Sequence, residues 1–514
     1  MSEDGYVHLK QRLVGPGGPF ELSMIEDEAP QPEFRRGPHT LSEIFQRSAV
    51  FGSRPFLASR AGQQSFSDIF RRADAVAANL IRLQVARGSR LTLELTDPVD
   101  WAASFIAATK IGASPVLVDP SWDEATREQR ALSLESVLRL RSLDCEGIVV
   151  DHSAVPMGPV SVDDEALVTF TSGTTREPKA VSVDHRGLVT GLRSMMLLAV
   201  LNSTPGATRS AGPPCALTFA PMHYVGGYSA LIFSMMTGAP LIFSSGEIDE
   251  AFDLVEAHEV RSIGGVTRSH LLDLLDAPLS FRAKLKSLRS INYFGAQLEP
   301  ELLDQFERTY PEVGLSAGYG LTETNGSIAS GTLTQFRERP GVAGRLSPAA
   351  CVRVVDDWGR PLSQGEVGNL EISGAFLAKS YVAASGATPI RGQWFNTGDI
   401  GYLDDQDFLH VRGRRHFIVI DGREIDVVGL ERKIANLAGV RDVVILADTA
   451  KSIIAICVSP QTDAGAMIEA AVRADIMGTH WRILVSAFDS LPLTSSGKVS
   501  RVEVAKRIGA MTPA

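Results

Sequence analysis

Short apolar runs of strand length alternate with helix-length amphipathic stretches along most of the chain, starting at Thr40. There, Thr40-Leu41-Ser42-Glu43 has the spacing of a capping box, whose hydroxyl and carboxylate can each satisfy a free amide at a helix start. A second helix is expected over 67–83, then strands at 91–95, 115–118 and 167–171 around a helix at 101–109. The alternation continues with strands at 216–219, 263–266 and 290–294 and helices at 252–258 and 300–310. Such a pattern predicts an α/β fold of parallel-rich sheets with covering helices. It spans a large domain over 39–412, whose stretch from about 341 onward turns to hairpins and predicts a small β-rich lobe. A compact α+β unit is expected over 413–514, with a helix at 428–437, strands at 443–446 and 453–458, and a helix near Ala466. Residues 1–38, rich in Gly, Pro and acids, lack sustained periodicity and are expected to be loosely ordered. The uncharged run 228–245 is broken by Gly238, Ala239 and Pro240, so it reads as a buried helix followed by a buried strand, not a membrane span.

Composition narrows the function. With 514 residues, 44% of them hydrophobic and 21% charged, the chain has the balance of a folded, multi-unit protein. Fifty Lys and Arg against sixty Asp and Glu give a net charge of -10, which argues against nucleic acid or an anionic membrane as main partner. The four cysteines, Cys145, Cys215, Cys351 and Cys457, are widely spaced and fit no metal or disulfide framework. The N-terminus has acids where an export signal needs bases, and a reducing, cytoplasmic setting is expected.

One loop stands out chemically. Thr171-Ser172-Gly173-Thr174-Thr175-Arg176-Glu177-Pro178-Lys179 follows a predicted buried strand and gathers four hydroxyls, one Gly and one Lys in nine residues. Hydroxyls and amides donate to phosphate oxygens, Gly permits close backbone approach, and Lys179 adds charge. The Gly-Lys-Thr of a Walker A loop is absent.

The same loop resembles the phosphate loop of the adenylate-forming superfamily, which includes acyl-CoA synthetases, adenylation domains of peptide synthetases and luciferases. Further motifs follow in that family's order: PMHYVGG (221–227), YGLTE (319–323), WFNTGDIGYLDD (394–405), RGRRHFIVIDGREI (412–425) and LPLTSSGKVSR (491–501). The resemblance implies ATP and Mg²⁺ as reactants and a mobile C-terminal domain. It implies that Thr171, Ser172, Gly173, Thr174, Thr175 and Lys179 hold phosphates, and that Gly295, Ala296, Gln297 and Tyr319 border adenine. It further implies that Asp399 and Arg414 hold the ribose, Thr322 the α-phosphate and Glu323 the Mg²⁺. Lys498, near the C-terminus, would stabilise charge as a carboxylate displaces pyrophosphate. His416 stands at the hinge where relatives usually carry Asp or Lys; Arg176 and Ala180 replace common glycines.

By the same resemblance, His223, Tyr224, Gly226, Gly227, Phe294, Gly318 and Gly326 line the acyl pocket, with His223 also bordering the thiol tunnel. PMHYVGGYSA contains no acid, whereas relatives that activate α-amino acids carry an Asp there, so an uncharged alkyl or aryl acid is expected. The acceptor expected first is a thiol, either coenzyme A or the phosphopantetheine of a carrier protein acting in trans. An amide-forming ligase using an amino acid or amine, as in coronafacate-ligase-like members, is the alternative. A nucleotide-binding protein without turnover is a third, opposed by the presence of Glu323, Asp399 and Lys498.

Overall fold

The computed structural model describes residues 3–59, 62–143, 155–171, 178–203, 214–294, 298–414, 417–420, 423–435, 437, 439–448, 453–459, 465–475, 481–494 and 498–508. Two large mixed sheets and a small third one organise the chain. The first, of seven strands, has a parallel part made of Arg90–Leu93, Ser114–Leu117, Leu138–Leu140 and Glu165–Phe170. It then turns antiparallel through Ala180–Asp184 and Ser380–Ala383. The second, of thirteen strands, has a parallel centre running through Leu241–Phe243, Ala216–Thr218, Ser262–Val266, Ser290–Phe294 and Gly314–Leu321.

Between these sheets lies a core containing Trp101, Phe105, Tyr228, Leu231 and Phe376. Helix Pro98–Lys110 is buried on nearly all its faces, which explains its uniformly apolar and small-residue composition. The 228–245 run resolves as expected into helix Val225–Thr237 and strand Leu241–Phe243. Gly238 ends the helix in the left-handed conformation, with φ of 69°.

Two expectations change. The segment expected to be loosely ordered forms helix Glu3–Val14 and the antiparallel pair Leu22–Ile25 with Gln31–Phe34. Tyr6, Leu13 and Phe34 pack with Leu197 and Leu201, and the Arg345 guanidinium covers the Tyr6 ring and reaches Glu3 at 2.6 Å. Docking rather than internal periodicity orders this helix, so its sequence carries a weak signal. The strands after Gly341 do not form a sheet of their own. Gly344–Leu346 joins Cys351–Val355, Gly368–Ser373, Phe395–Leu403 and Phe408–Arg414 to the thirteen-stranded sheet by pairing with both Gly326–Thr332 and Phe408–Arg414. The hairpin of Ser380–Ala383 and Gly386–Pro389 extends the seven-stranded sheet.

The C-terminal strands Asp442–Asp448, Ile453–Ser459 and Arg482–Ala487 form the third sheet. It packs on helix Val427–Ala435 through Val427, Leu430, Ile434, Ile445 and Ile456, a core to which no residue before Ile425 contributes among those described.

Candidate active site

Strand Gly314–Leu321 pairs in parallel with Ser290–Phe294 on one side and antiparallel with Gly326–Thr332 on the other. The sheet therefore changes sense at the YGLTE segment, the kind of switch point where open α/β sheets leave a crevice beyond the strand ends. A cleft of about 540 Å³ opens here, lined among others by Gly318, Tyr319, Asp399, Arg414 and Lys498. That volume lies within the range of small-molecule sites.

Asp399 is the polar centre of the cleft. Its carboxylate accepts the Tyr319 hydroxyl at 2.6 Å and the Arg414 Nε at 3.2 Å, and its own amide donates to Thr397 Oγ1 at 3.0 Å. The Arg414 contact follows from the sheet, because Asp399 and Arg414 are cross-strand partners. Asp399 is buried, and burial together with its charge pushes the Tyr319 phenol well above its usual pKa.

Lys498 reaches this cleft from the C-terminal unit, with its ammonium 5.9 Å from the centre of the Phe294 ring. Thr494 braces it on the chain: Lys498 O accepts from the Thr494 amide at 2.7 Å, and the Lys498 amide donates to Thr494 Oγ1. Burial and the Arg414 charge lower the Lys498 pKa, while Asp399 opposes them. The C-terminal unit is held in place by Arg441, which donates to the carboxylate of Asp273 and to Ser269 O at 3.3 Å. Arg268 in turn donates to Arg441 O.

Glu323 lies on the single turn Thr322–Thr324 at the end of the YGLTE strand, and Asn325 closes that turn in the left-handed conformation. Its carboxylate accepts the Tyr381 hydroxyl at 2.5 Å, and the Lys179 ammonium sits 4.8 Å from the centre of the Tyr381 ring. Thr171 and Lys179 close the base of the phosphate loop by exchanging two hydrogen bonds, each of 3.0 Å. Strand Ser380–Ala383 sets Tyr381 opposite Val181, just after that loop. Sequence reasoning missed Tyr381, since it lies in neither the phosphate-loop nor the YGLTE motif.

The donor set fits a magnesium nucleotide. Mg²⁺ is commonly held by one or two carboxylates plus phosphate oxygens and water. Glu323 offers one carboxylate of the kind such a site uses, on the turn Thr322–Thr324. Asp399 presents a carboxylate of the kind that accepts paired hydroxyls, and Lys179 and Lys498 are cations of the kind that bind phosphate. Ser172, Gly173, Thr174, Thr175, Arg176, Gly295, Ala296, Gln297 and His416 lie outside the described residues.

The expected acyl-pocket residues fall into different environments. Gly318 lines the cleft that also holds Tyr319 and Asp399. Gly227 is buried with the Pro221 carbonyl oxygen 2.0 Å from where a Cβ would stand, so close backbone approach accounts for it. Gly326 has φ of +130°, and a Cβ there would meet the Met195 sulfur at 2.6 Å. Gly226 packs on Ala220. His223 is buried, its carbonyl accepts from Thr169 Oγ1 at 3.1 Å, and its ring lies 4.4 Å from that of Tyr224. Facing both rings is an acid absent from the motif. Asp119 Oδ2 lies 3.6 Å from His223 Nε2 and 3.4 Å from the Tyr224 hydroxyl. Its position just past the end of parallel strand Ser114–Leu117 was the available signal.

No helix among the described residues is long and apolar enough to cross a membrane. Comparison with known proteins agrees with this geometry. The family model described as AMP-binding enzyme matches residues 44–382. The 4-coumarate–CoA ligase CCL1 of Humulus lupulus is 25% identical over 510 residues, covering 90% of this chain and 92% of that protein. Among solved structures, the o-succinylbenzoate coenzyme A synthetase of Bacillus subtilis in complex with ATP and magnesium has a TM-score of 0.72 at 22% identity, with 90% of this chain and 98% of that one covered. The amide bond synthetase McbA from Marinactinospora thermotolerans has a TM-score of 0.74 at 20% identity, covering 92% and 100%. The chain thus belongs to the AMP-binding, adenylate-forming enzyme family, among homologues of the AMP-forming acyl-CoA ligases.

Proposed function

We propose that this enzyme uses ATP to activate an uncharged alkyl or aryl carboxylic acid as its acyl-adenylate, releasing pyrophosphate, and then transfers the acyl group to a thiol. Coenzyme A is the first choice of thiol, and a carrier-protein phosphopantetheine acting in trans is the other. The observation that carries this reading is the convergence of Lys498, from the C-terminal unit, on the cleft that holds Asp399, Tyr319 and Arg414.

In the first step the acid's carboxylate oxygen attacks the α-phosphorus, and the bond to the pyrophosphate oxygen breaks. The crowded anions repel one another, so the step needs cations already in place. Lys498 and Lys179 serve as those cations, and Thr322 donates its hydroxyl to the α-phosphate. Glu323 would hold Mg²⁺, which would supply positive charge to neutralise the phosphates. Asp399 and Arg414 orient the ribose, and the phosphate loop 171–179 encloses the polyphosphate.

In the second step Lys498 is no longer needed. The C-terminal unit, with its own core, is then free to turn about the segment around His416 and open a path for the acceptor. Acid-dependent exchange of labelled pyrophosphate into ATP tests the first step, and a protein that only binds nucleotide shows none. Mass analysis of products from a panel of acids offered with coenzyme A, holo-carrier or amino acids tests the second. The alternative is transfer to an amine to form an amide. Accumulation of amide alone would replace the thioester reading with this one.

A further inference from the structure

His223 poses a problem that the adenylation chemistry leaves unsolved. Its Nε2 is fully buried and has no hydrogen-bond partner, and the carboxylate facing it, Asp119 Oδ2, stands at 3.6 Å. Asp119 itself is 3% exposed and anchored on its other oxygen, which accepts the Ser121 amide at 2.9 Å and the Ser121 hydroxyl at 2.6 Å. The carboxylate is therefore fixed in direction, and a short movement of the imidazole completes a hydrogen bond from Nε2–H to Oδ2.

We infer that Asp119 is a positioning residue that holds His223 with its proton on Nε2, leaving Nδ1 bare to take the proton from the acceptor as it attacks the acyl-adenylate. The inference rests on the two-step reading above. A carboxylate facing one ring nitrogen selects the tautomer with the proton on that nitrogen, and the other becomes the base. It also stabilises the imidazolium that forms when the base is used. Thr169 Oγ1 ties the His223 carbonyl to strand Glu165–Phe170, which fixes the backbone from which the ring projects.

The step balances without a further reagent. The acceptor S–H or N–H gives its proton to His223 Nδ1 while its lone pair forms the bond to the acyl carbon. The bond from that carbon to the phosphate oxygen breaks, and AMP leaves with the electron pair. Proton release from the imidazolium to solvent restores the base.

Two measurements test this. Protein labelled with ¹⁵N-histidine gives the tautomer of each of its ten histidines by NMR, and His223→Gln assigns the relevant signals. A protonated Nε2 with bare Nδ1 is expected, and a proton on Nδ1 would overturn the inference even if every Asp119 variant fails to fold. In kinetics, Asp119→Asn should slow acyl transfer from supplied acyl-AMP to coenzyme A about a hundredfold. The KM for coenzyme A and the pyrophosphate exchange rate should stay within about threefold, and Asp119→Glu should restore part of the transfer rate. Equal losses in both half-reactions, or no loss in transfer, would reject the role. Absence of exchange in the unaltered protein would instead sink the adenylation reading while leaving the tautomer result to stand or fall alone.

Discussion

In the region proposed to hold the nucleotide, Asp399 is hydrogen-bonded to Tyr319 at 2.6 Å and Arg414 at 3.2 Å, and Glu323 to Tyr381 at 2.5 Å. In the region proposed to hold the acyl group, His223 Nε2 is buried without a hydrogen bond, and the carboxylate of Asp119 is 3.6 Å away. The nucleotide end is a set of mutually satisfied groups, so its geometry is fixed before substrate arrives. That is the preorganisation electrostatic catalysis needs. The proposed acyl side keeps one buried polar atom without a hydrogen bond, which is uncommon in folded proteins. On the reading proposed above, the first region holds charge still and the second moves a proton.

The largest expected effect separates the two half-reactions. Lys498→Ala should lower acid-dependent pyrophosphate exchange by about 10²–10³-fold and leave transfer from supplied acyl-AMP within about threefold. Equal loss of both steps would remove the distinction between the two ends. Because the Lys498 pKa is depressed, its ammonium loses the proton as pH rises before an ordinary lysine would. The alkaline limb of the exchange rate should accordingly lie below the usual lysine range, and Lys498→Arg should abolish that limb. A limb unmoved by this substitution would assign it to another group.

Smaller effects sharpen the picture. Asp399→Asn should raise the KM for ATP roughly ten- to hundredfold, since it weakens a charged acceptor that also holds Tyr319 and Arg414. An unchanged KM would show that Asp399 is a strand-pairing residue only. Tyr381→Phe removes the hydroxyl that orients Glu323 and should raise the Mg²⁺ concentration needed for half-maximal exchange about tenfold. An unaltered Mg²⁺ requirement would detach Tyr381 from the metal. Arg441→Ala cuts the contacts to Asp273 and Ser269 that seat the C-terminal unit, and should slow exchange about threefold while sparing transfer. Slower transfer instead would mean that the observed seating serves the second step.

Much of the nucleotide end was legible in the primary structure because its parts are contiguous. Thr171 and Lys179 close one loop, and Tyr319, Thr322 and Glu323 share one strand and turn. The pairing of Asp399 with Arg414 is nearly so, since both lie on one hairpin. The amino-terminal helix was missed because its periodicity is weak and its order comes from Leu197 and Leu201, far along the chain. That the late strands join the two large sheets was missed because short contacts make the joins, three residues at Gly344–Leu346 and three pairs between residues 380–382 and 180–182.

By itself the amino-acid sequence determined the order of strands and helices and the loops that carry charge, since backbone periodicity and hydrogen-bonding needs act over a few residues. Only the tertiary structure decided which distant groups meet. Tyr381 comes to Glu323 across 58 residues, Asp119 to Tyr224 across 105 and Arg441 to Asp273 across 168. These meetings depend on strand order and on burial of a shared core, which are set by the packing of the whole chain and leave no periodic trace in any one segment.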